Sequence, residues 1–324
     1  MHFLTEKENI QLVFEGKQPE WLPFYTDACA RMLTPSLERK LDPKTGYRVD
    51  PFGVAFTQTP DGAIPANTMS GNFELEDVTE WKKVIPDINL KDIDWESEAK
   101  RIRAEKVKPG QIIDYTAGYI WEELHYMMGF EQALVSLLVE PEATIEALNA
   151  FADFWIEVIH LQCKYLKPEM ITLMEHMANA TGPLLSPQTY SKIIKPVHKR
   201  VVDVILDMGA IPCIHCDGAI EPLVPEFIDA GFQAIQPFQV FNDINKWKTE
   251  TGIIAIGGWD AFGRGNQKDS TEEEVRKSVR DAMDTYGPGG RYVFWGSGIT
   301  PQYKHLSAFM ADEARHYGHA FYNK

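Results

Sequence analysis

From about residue 110 onward, short apolar runs alternate with longer stretches of helical spacing, and few architectures accept that rhythm. Seven runs read as strands: 21–27, 111–116, 170–176, 210–217, 234–240, 253–260 and 291–296. Each is short, apolar and bounded by Gly, Pro or Asp. Helical patterns fill the gaps at 141–166, 186–208, 222–230, 271–287 and 301–322. Pro141 and Pro187 stand at helix starts, and Gly209 and Gly231 just past helix ends. Thr271 and Glu274 have capping-box spacing. Strands alternating with helices imply a parallel sheet with helices outside. No Gly-rich phosphate loop follows a strand, so a barrel is preferred to a doubly wound sheet. The expected fold is α/β, a TIM-type (β/α)8 barrel, with residues 1–324 as one barrel domain. An eighth strand is not identifiable. Residues 45–110 break the rhythm with a hairpin at 53–64 and an Asp-rich stretch, which predicts an insertion near the barrel mouth.

The bulk numbers narrow the function classes. The formal net charge is −15, with no Lys/Arg cluster, so a nucleic-acid partner is not expected. The same balance disfavours a polyanionic substrate, which needs local basic groups. No apolar stretch approaches eighteen residues, and the charged start MHFLTEKENIQLVFEG does not resemble a secretory signal. A cytoplasmic protein with no membrane partner is expected. Four scattered cysteines (Cys29, Cys163, Cys213 and Cys216) are too few for a disulfide framework at this size.

In a barrel enzyme the site lies at the C-terminal ends of the strands. Asp27, Glu175, His176, His215, Asp217, Asp260 and Ser297 each close an apolar run just before a turn. The densest cluster is Cys213-Ile214-His215-Cys216-Asp217-Gly218. Strand alternation puts Cys213, His215 and Asp217 on one face. A His and an Asp two apart can bind a divalent metal, or act as a base with its orienting carboxylate. The plain alternative is a satisfied core histidine among small buried cysteines. In Glu175-His176 the same alternation lets only one residue face the mouth. Tyr25, Tyr119, Trp121, Phe238, Trp259 and Trp295 gather near strand ends and loops. Core packing explains most aromatics; several at a rim suit an apolar or aromatic ligand.

These residues carry a family resemblance. IHCDGAIEPL (214–223), continuing through PEFIDAGFQAIQP, resembles the central motif of the uroporphyrinogen decarboxylase superfamily. TGPLLSPQTYSKIIKPVHKRV (181–201) is similar to a second family segment, and GGWDAF followed by TEEEVRKSV to a third. YTDACARML (25–33) sits where the decarboxylating members carry paired arginines. The resemblance covers nearly the whole chain. It implies a TIM-type barrel with one of two chemistries: cofactor-free decarboxylation of a porphyrinogen, or methyl transfer to or from a corrinoid protein, commonly with zinc.

The decarboxylating branch fits poorly. The first arginine of the pair corresponds to Asp27, and only Arg31 remains. In the methyltransferase branch, zinc is held by a His-x-Cys pair and a later Cys. Here His215 matches the His, Asp217 stands at the Cys, and Ser297 or Gly298 at the later Cys. Thiolates suit zinc and activate thiol substrates, so this harder donor set argues against a thiol acceptor. The resemblance thus implies a demethylating enzyme. It would move a methyl group from a small methylated donor, an aryl methyl ether or methylated amine, to the cob(I)alamin of a partner corrinoid protein. His215, Asp217, Glu175 and Asp27 are the expected catalytic residues. His215, Asp217 and Glu175 are the expected ligands if zinc is held. Tyr25, Arg31, Tyr119, Trp121, His176, Phe238, Trp259, Asp260 and Trp295 are expected to contact substrate. Related barrels pair, so a homodimer is expected. A decarboxylase acting on a smaller substrate is the alternative, followed by a relative whose site has decayed.

Overall fold

A computed structural model describes residues 4–59, 62–296 and 303–323. Seven parallel strands form the central sheet: β1 (Cys29–Met32), β2 (Ile112–Ala117), β3 (Met170–Met174), β4 (Ile211–His215), β5 (Ala234–Phe238), β6 (Ile254–Gly258) and β7 (Tyr292–Trp295). They neighbour one another in chain order without reversal. A doubly wound sheet reverses its strand order, whereas a TIM-type barrel advances in one direction, as here.

Six of the seven expected strands appear: five are trimmed by two or three residues, and 111–116 is shifted by one to 112–117. The run at 21–27 is the correction. Pro23 lacks an N–H, and Tyr25–Ala28 closes a single helical turn before β1 begins at Cys29. Phe24 makes an isolated parallel bridge to Phe294, and Phe294 N donates to Pro23 O at 2.9 Å. The segment ahead of β1 therefore meets the far edge of the sheet.

Strand alternation sorts the core into two layers. Inward side chains from Cys29, Ile112, Met170, Cys213, Ile254 and Val293 pack together with Ile10 and Val13 of helix α1 (Glu6–Phe14). That helix begins with a Thr5–Glu8 capping box. Outward side chains such as Tyr115, Leu173, Ile235 and Phe294 pack under the surrounding helices. Helix α2 (Trp121–Met128) follows β2, and the 25-residue α3 (Pro141–Tyr165) follows later with Pro at its first turn. Its buried residues Leu148, Phe151, Trp155, Ile159 and Gln162 recur at three- and four-residue spacing, making one stripe towards the barrel. Each large apolar side chain so buried contributes about 1.5–3 kcal/mol.

The expected insertion is a four-stranded antiparallel sheet of Lys40–Leu41, Arg48–Val49, Ala55–Thr59 and Gly62–Pro65. Phe52 packs edge-on against Phe151 and Phe154, and Phe56 against Tyr126. The inserted sheet thus rests on α2 and α3. No helix among the described residues is long and apolar enough to cross a membrane.

Candidate active site

At the C-terminal ends of β3 and β4, the register sets Met174 beside His215. Two residues beyond each strand stand His176 and Asp217. Gly218 turns the chain away with φ +98°, and a Cβ there would lie 2.5 Å from Asn179 O, so this turn requires glycine. The result is a cluster at the barrel mouth. His176 Nε2 lies 3.0 Å and His215 Nε2 3.5 Å from Asp217 Oδ2. The two imidazole rings meet edge-on at 5.3 Å.

The two histidines differ electrostatically. Burial works against charge on His176, but the hydrogen bonds it donates to Asp217 and Glu122 push its pKa up to about 10. His215 is lowered, chiefly by burial, with Arg31 adding to the effect. Its Nδ1 is buried without a hydrogen-bond partner among the described residues. Burial raises Asp217, but the two imidazoles outweigh it and hold the carboxyl well below its usual range. Glu122 is held low in the same way. It accepts from His176 Nδ1 at 2.9 Å, His176 N at 3.1 Å, His125 Nε2 and Tyr126 OH.

Arg31 reaches into the mouth from β1. Its Nε donates to Thr116 Oγ1 at 3.3 Å, and its guanidinium lies 5.8 Å from the centre of the Trp295 ring. Trp295 also contacts His215 and Tyr25. Beneath them Asp114, fully buried, accepts from Tyr25 OH, Thr172 Oγ1 and Gln236 Nε2. This polar layer forms the floor, with Asp114 fully engaged and Gln236 Oε1 buried without a partner among the described residues.

Several expected site residues lie elsewhere. Glu175 does not join the histidines. Its carboxylate is fully buried and accepts from Ile120 N, Trp121 N and Glu122 N at 2.9–3.2 Å. It caps α2, whose first N–H groups have no partner within the helix. His176 takes its place at the mouth. Asp27 sits ahead of β1, at the opposite end of the strands, in a two-point pair with Arg315 at 2.6 and 2.9 Å. Trp121, Phe238 and Trp259 belong to the outer core, with Trp121 Nε1 on His176 O and Trp259 Nε1 on Ser278 Oγ. Asp260 is exposed and accepts from Phe262 N. Tyr119 stacks at a tilt on Trp155, away from the cluster's own contacts. Ser297 and Gly298 lie outside the described residues.

Sequence reasoning missed Glu122 and Asp114. Asp114 carried a signal, an acid inside the apolar run IIDYTA, where an unpaired charge is costly. Glu122 carried only its place at a helix start after a strand.

The cluster fits a divalent ion. One ligand atom from each of His176, His215 and Asp217 lies within 4.8 Å of the others. Bonds of 2.0–2.2 Å in a tetrahedron separate ligand atoms by about 3.3 Å, and the observed separations from Asp217 are 3.0 and 3.5 Å. Glu122 on the far nitrogen of His176 is the carboxylate–histidine support usual behind a ligating imidazole.

The chain is similar in structure to a methyltransferase from Methanosarcina mazei, with TM-score 0.64 and 13% identity, covering 97% of this chain and 100% of that one. That likeness concerns the fold. No curated protein matches the chain in sequence. The sequence model of uroporphyrinogen decarboxylase (URO-D) matches residues 50–316, a span holding α2, α3, β2 to β7 and the whole His176–His215–Asp217 cluster. On that match, the chain belongs to the uroporphyrinogen decarboxylase family.

Proposed function

We propose that this protein is a methyltransferase that moves a methyl group from a small methylated donor, an ether or amine, to the cob(I)alamin of a partner corrinoid protein. The observation that carries the reading is the convergence of His176, His215 and Asp217 at the mouth of a URO-D barrel. The fold it shares with a protein described as a methyltransferase supports it.

The chain's own part is to activate the leaving oxygen or nitrogen. Glu122 and Asp217 fix the orientation of His176 from both sides. Without an ion, His176 carries a proton at neutral pH and gives it to the departing heteroatom as the methyl–heteroatom bond breaks. The electron pair for the new bond to the methyl carbon comes from the partner's reduced cobalt. His176, His215 and Asp217 would also hold zinc, which when bound supplies Lewis acidity to the leaving group. Arg31 and Trp295 line the approach and orient the donor.

The test is anaerobic methyl transfer to free cob(I)alamin, followed by absorbance, with aryl methyl ethers, methylated amines and methanol, each with and without zinc. Methylcobalamin formation from one donor class is the expected outcome. No transfer from any donor by folded protein would overturn the reading. The second reading, decarboxylation, is favoured by one observation: Arg31 offers a carboxylate anchor beside two histidines. Carbon dioxide release without cobalamin would select it.

A further inference from the structure

Between the inserted sheet and α3 lies a second cavity of about 270 Å³. Arg39, Asp50, Phe52, Tyr119, Glu123 and Trp155 line it. Three observations distinguish it from a packing gap. Trp155 is 4% exposed, and its Nε1–H has no acceptor among the described residues. Buried donors are nearly always satisfied in folded proteins, so this one lacks its partner. The Arg39 guanidinium lies 3.3 Å over the Phe56 ring, and no hydrogen bond or ion pair engages it among the described residues. Asp50 Oδ1 accepts from Phe52 N and Val54 N, while its carboxyl is hydrogen-bonded to that of Glu123. Glu123 is 4% exposed. Burial and the charge of Asp50 push its carboxyl well up, so the pair shares one proton and carries one negative charge.

The charges can be counted. The acid pair contributes one negative charge, and Arg39 and Arg48 two positive. Glu38, also on the wall, is neutralised by Lys106 at 3.1 Å. The cavity is left with one positive charge. Its unmet donors are Trp155 Nε1 and the Arg39 guanidinium, the buried acceptors Asp50 Oδ2 and Glu123 Oε1 being left to the contact between the two carboxyls. Phe52, Tyr119 and Trp155 give the cavity an aromatic side, with Phe52 edge-on to Phe154 and Trp155 tilted against Tyr119 at 5.7 Å. Its volume suits a single substituted ring rather than a drug-sized ligand.

We infer that this cavity binds a flat aromatic monocarboxylate of benzoate size, its carboxylate on Trp155 Nε1 and Arg39 and its ring between Phe52 and Tyr119. A bidentate guanidinium–carboxylate contact and an indole donor together recognise the anionic end. The aromatic walls take the ring. The inference rests on the methyl-donor reading only in the choice of methoxylated acids among the probes.

The experiment is calorimetric titration of the full chain with benzoate and 4-methoxybenzoate, with methoxybenzene and benzylammonium as controls. Both acids bind, the neutral ether binds at least tenfold more weakly, and the cation does not compete. Trp155→Phe keeps a ring and loses the N–H, and weakens acid binding at least fivefold. Arg39→Gln weakens it at least tenfold. Each variant is first shown to unfold at the wild-type temperature, and if Arg39→Gln does not fold, Trp155→Phe decides alone. Absence of binding by both acids, equal binding by wild type and Trp155→Phe, or preference for the cation overturns the inference. Binding is also measured on His215→Ala, which does not line this cavity and should retain full affinity. Acid binding with no methyl transfer would leave the cavity assigned and remove the proposed reaction. Methyl transfer from amines with no acid binding would do the reverse.

Discussion

On α2, Glu122 turns towards the barrel mouth and its neighbour Glu123 towards the second cavity, though both are at most 4% exposed. One residue along a helix is a rotation of about 100°, enough to place the two carboxyls in different surroundings. Glu122 meets donors from His176, His125 and Tyr126, which outweigh burial and keep it ionised. Glu123 meets another carboxyl, and burial with that neighbour's charge favours its protonated form. Burial alone therefore does not set the state of an acid; the donors within reach do. The mouth holds charge at fixed positions, as the proposed methyl transfer requires, whereas the second cavity has unpartnered donors beside three aromatic side chains, as the inferred ligand requires.

The sharpest way to break this comparison is to remove a reactive group from the mouth. His176→Ala should lower methyl transfer about 10²- to 10⁴-fold, the range for a group taking part in proton transfer, as read from turnover with the best donor. Unchanged turnover would move the chemistry away from the mouth. Next in size is the stability contrast on α2. Glu122→Gln leaves two histidines and a tyrosine without their anionic partner and should cost about 3 kcal/mol. Glu123→Gln exchanges one neutral hydrogen-bonding group for another and should cost about 1 kcal/mol or less. Urea unfolding of both variants reads the difference, and equal losses would erase the distinction between the two acids.

Glu175→Gln sharpens the boundary of the mouth. Weakening three backbone hydrogen bonds at the start of α2 should cost roughly 1–2 kcal/mol, while zinc affinity measured by competition stays at the wild-type value. A large loss of affinity would return Glu175 to the ligand set. A separate readout is the pH dependence of the metal-stripped protein. His176 is raised to about 10 in the folded state, against about 6.5 unfolded. A raised histidine contributes stability that is complete below about 6.5 and fades as pH climbs through 10. The thermal midpoint should therefore fall between pH 7 and 10.5, and fall less in Glu122→Gln, where one of the two groups raising His176 is gone.

Much of this was legible before the structure. Periodicity located β2 to β7 within a few residues, because short apolar runs between Gly, Pro and Asp are local signals. The capping box at Thr271 and the helix start at Pro141 were read correctly for the same reason. At the site, alternation put His215 and Asp217 at one mouth, and it required that only one of Glu175 and His176 face it. Composition misled in two places. Trp121, Phe238 and Trp259 suited a rim as aromatics, yet they lie on the outward side of the barrel wall, where helices cover them. Asp27 ended an apolar run, yet that run was a bridge and a helical turn rather than a strand, which moved the acid to the wrong end of the barrel.

The sequence by itself determined the strand-and-helix rhythm of a barrel and the face on which His215 and Asp217 stand, because those properties depend on residues within a few positions of one another. Only the tertiary structure decided what His215 and Asp217 would meet. His176 lies 41 positions from Asp217 and Glu122 another 54 from His176, and Arg315 reaches Asp27 across 288. Such pairings depend on strand register and helix packing between distant segments, and no local pattern encodes either. The choice of His176 over Glu175 shows how little separates the two outcomes: adjacent residues point to opposite sides of the barrel wall, and the start of α2 waits on one side with three free N–H groups.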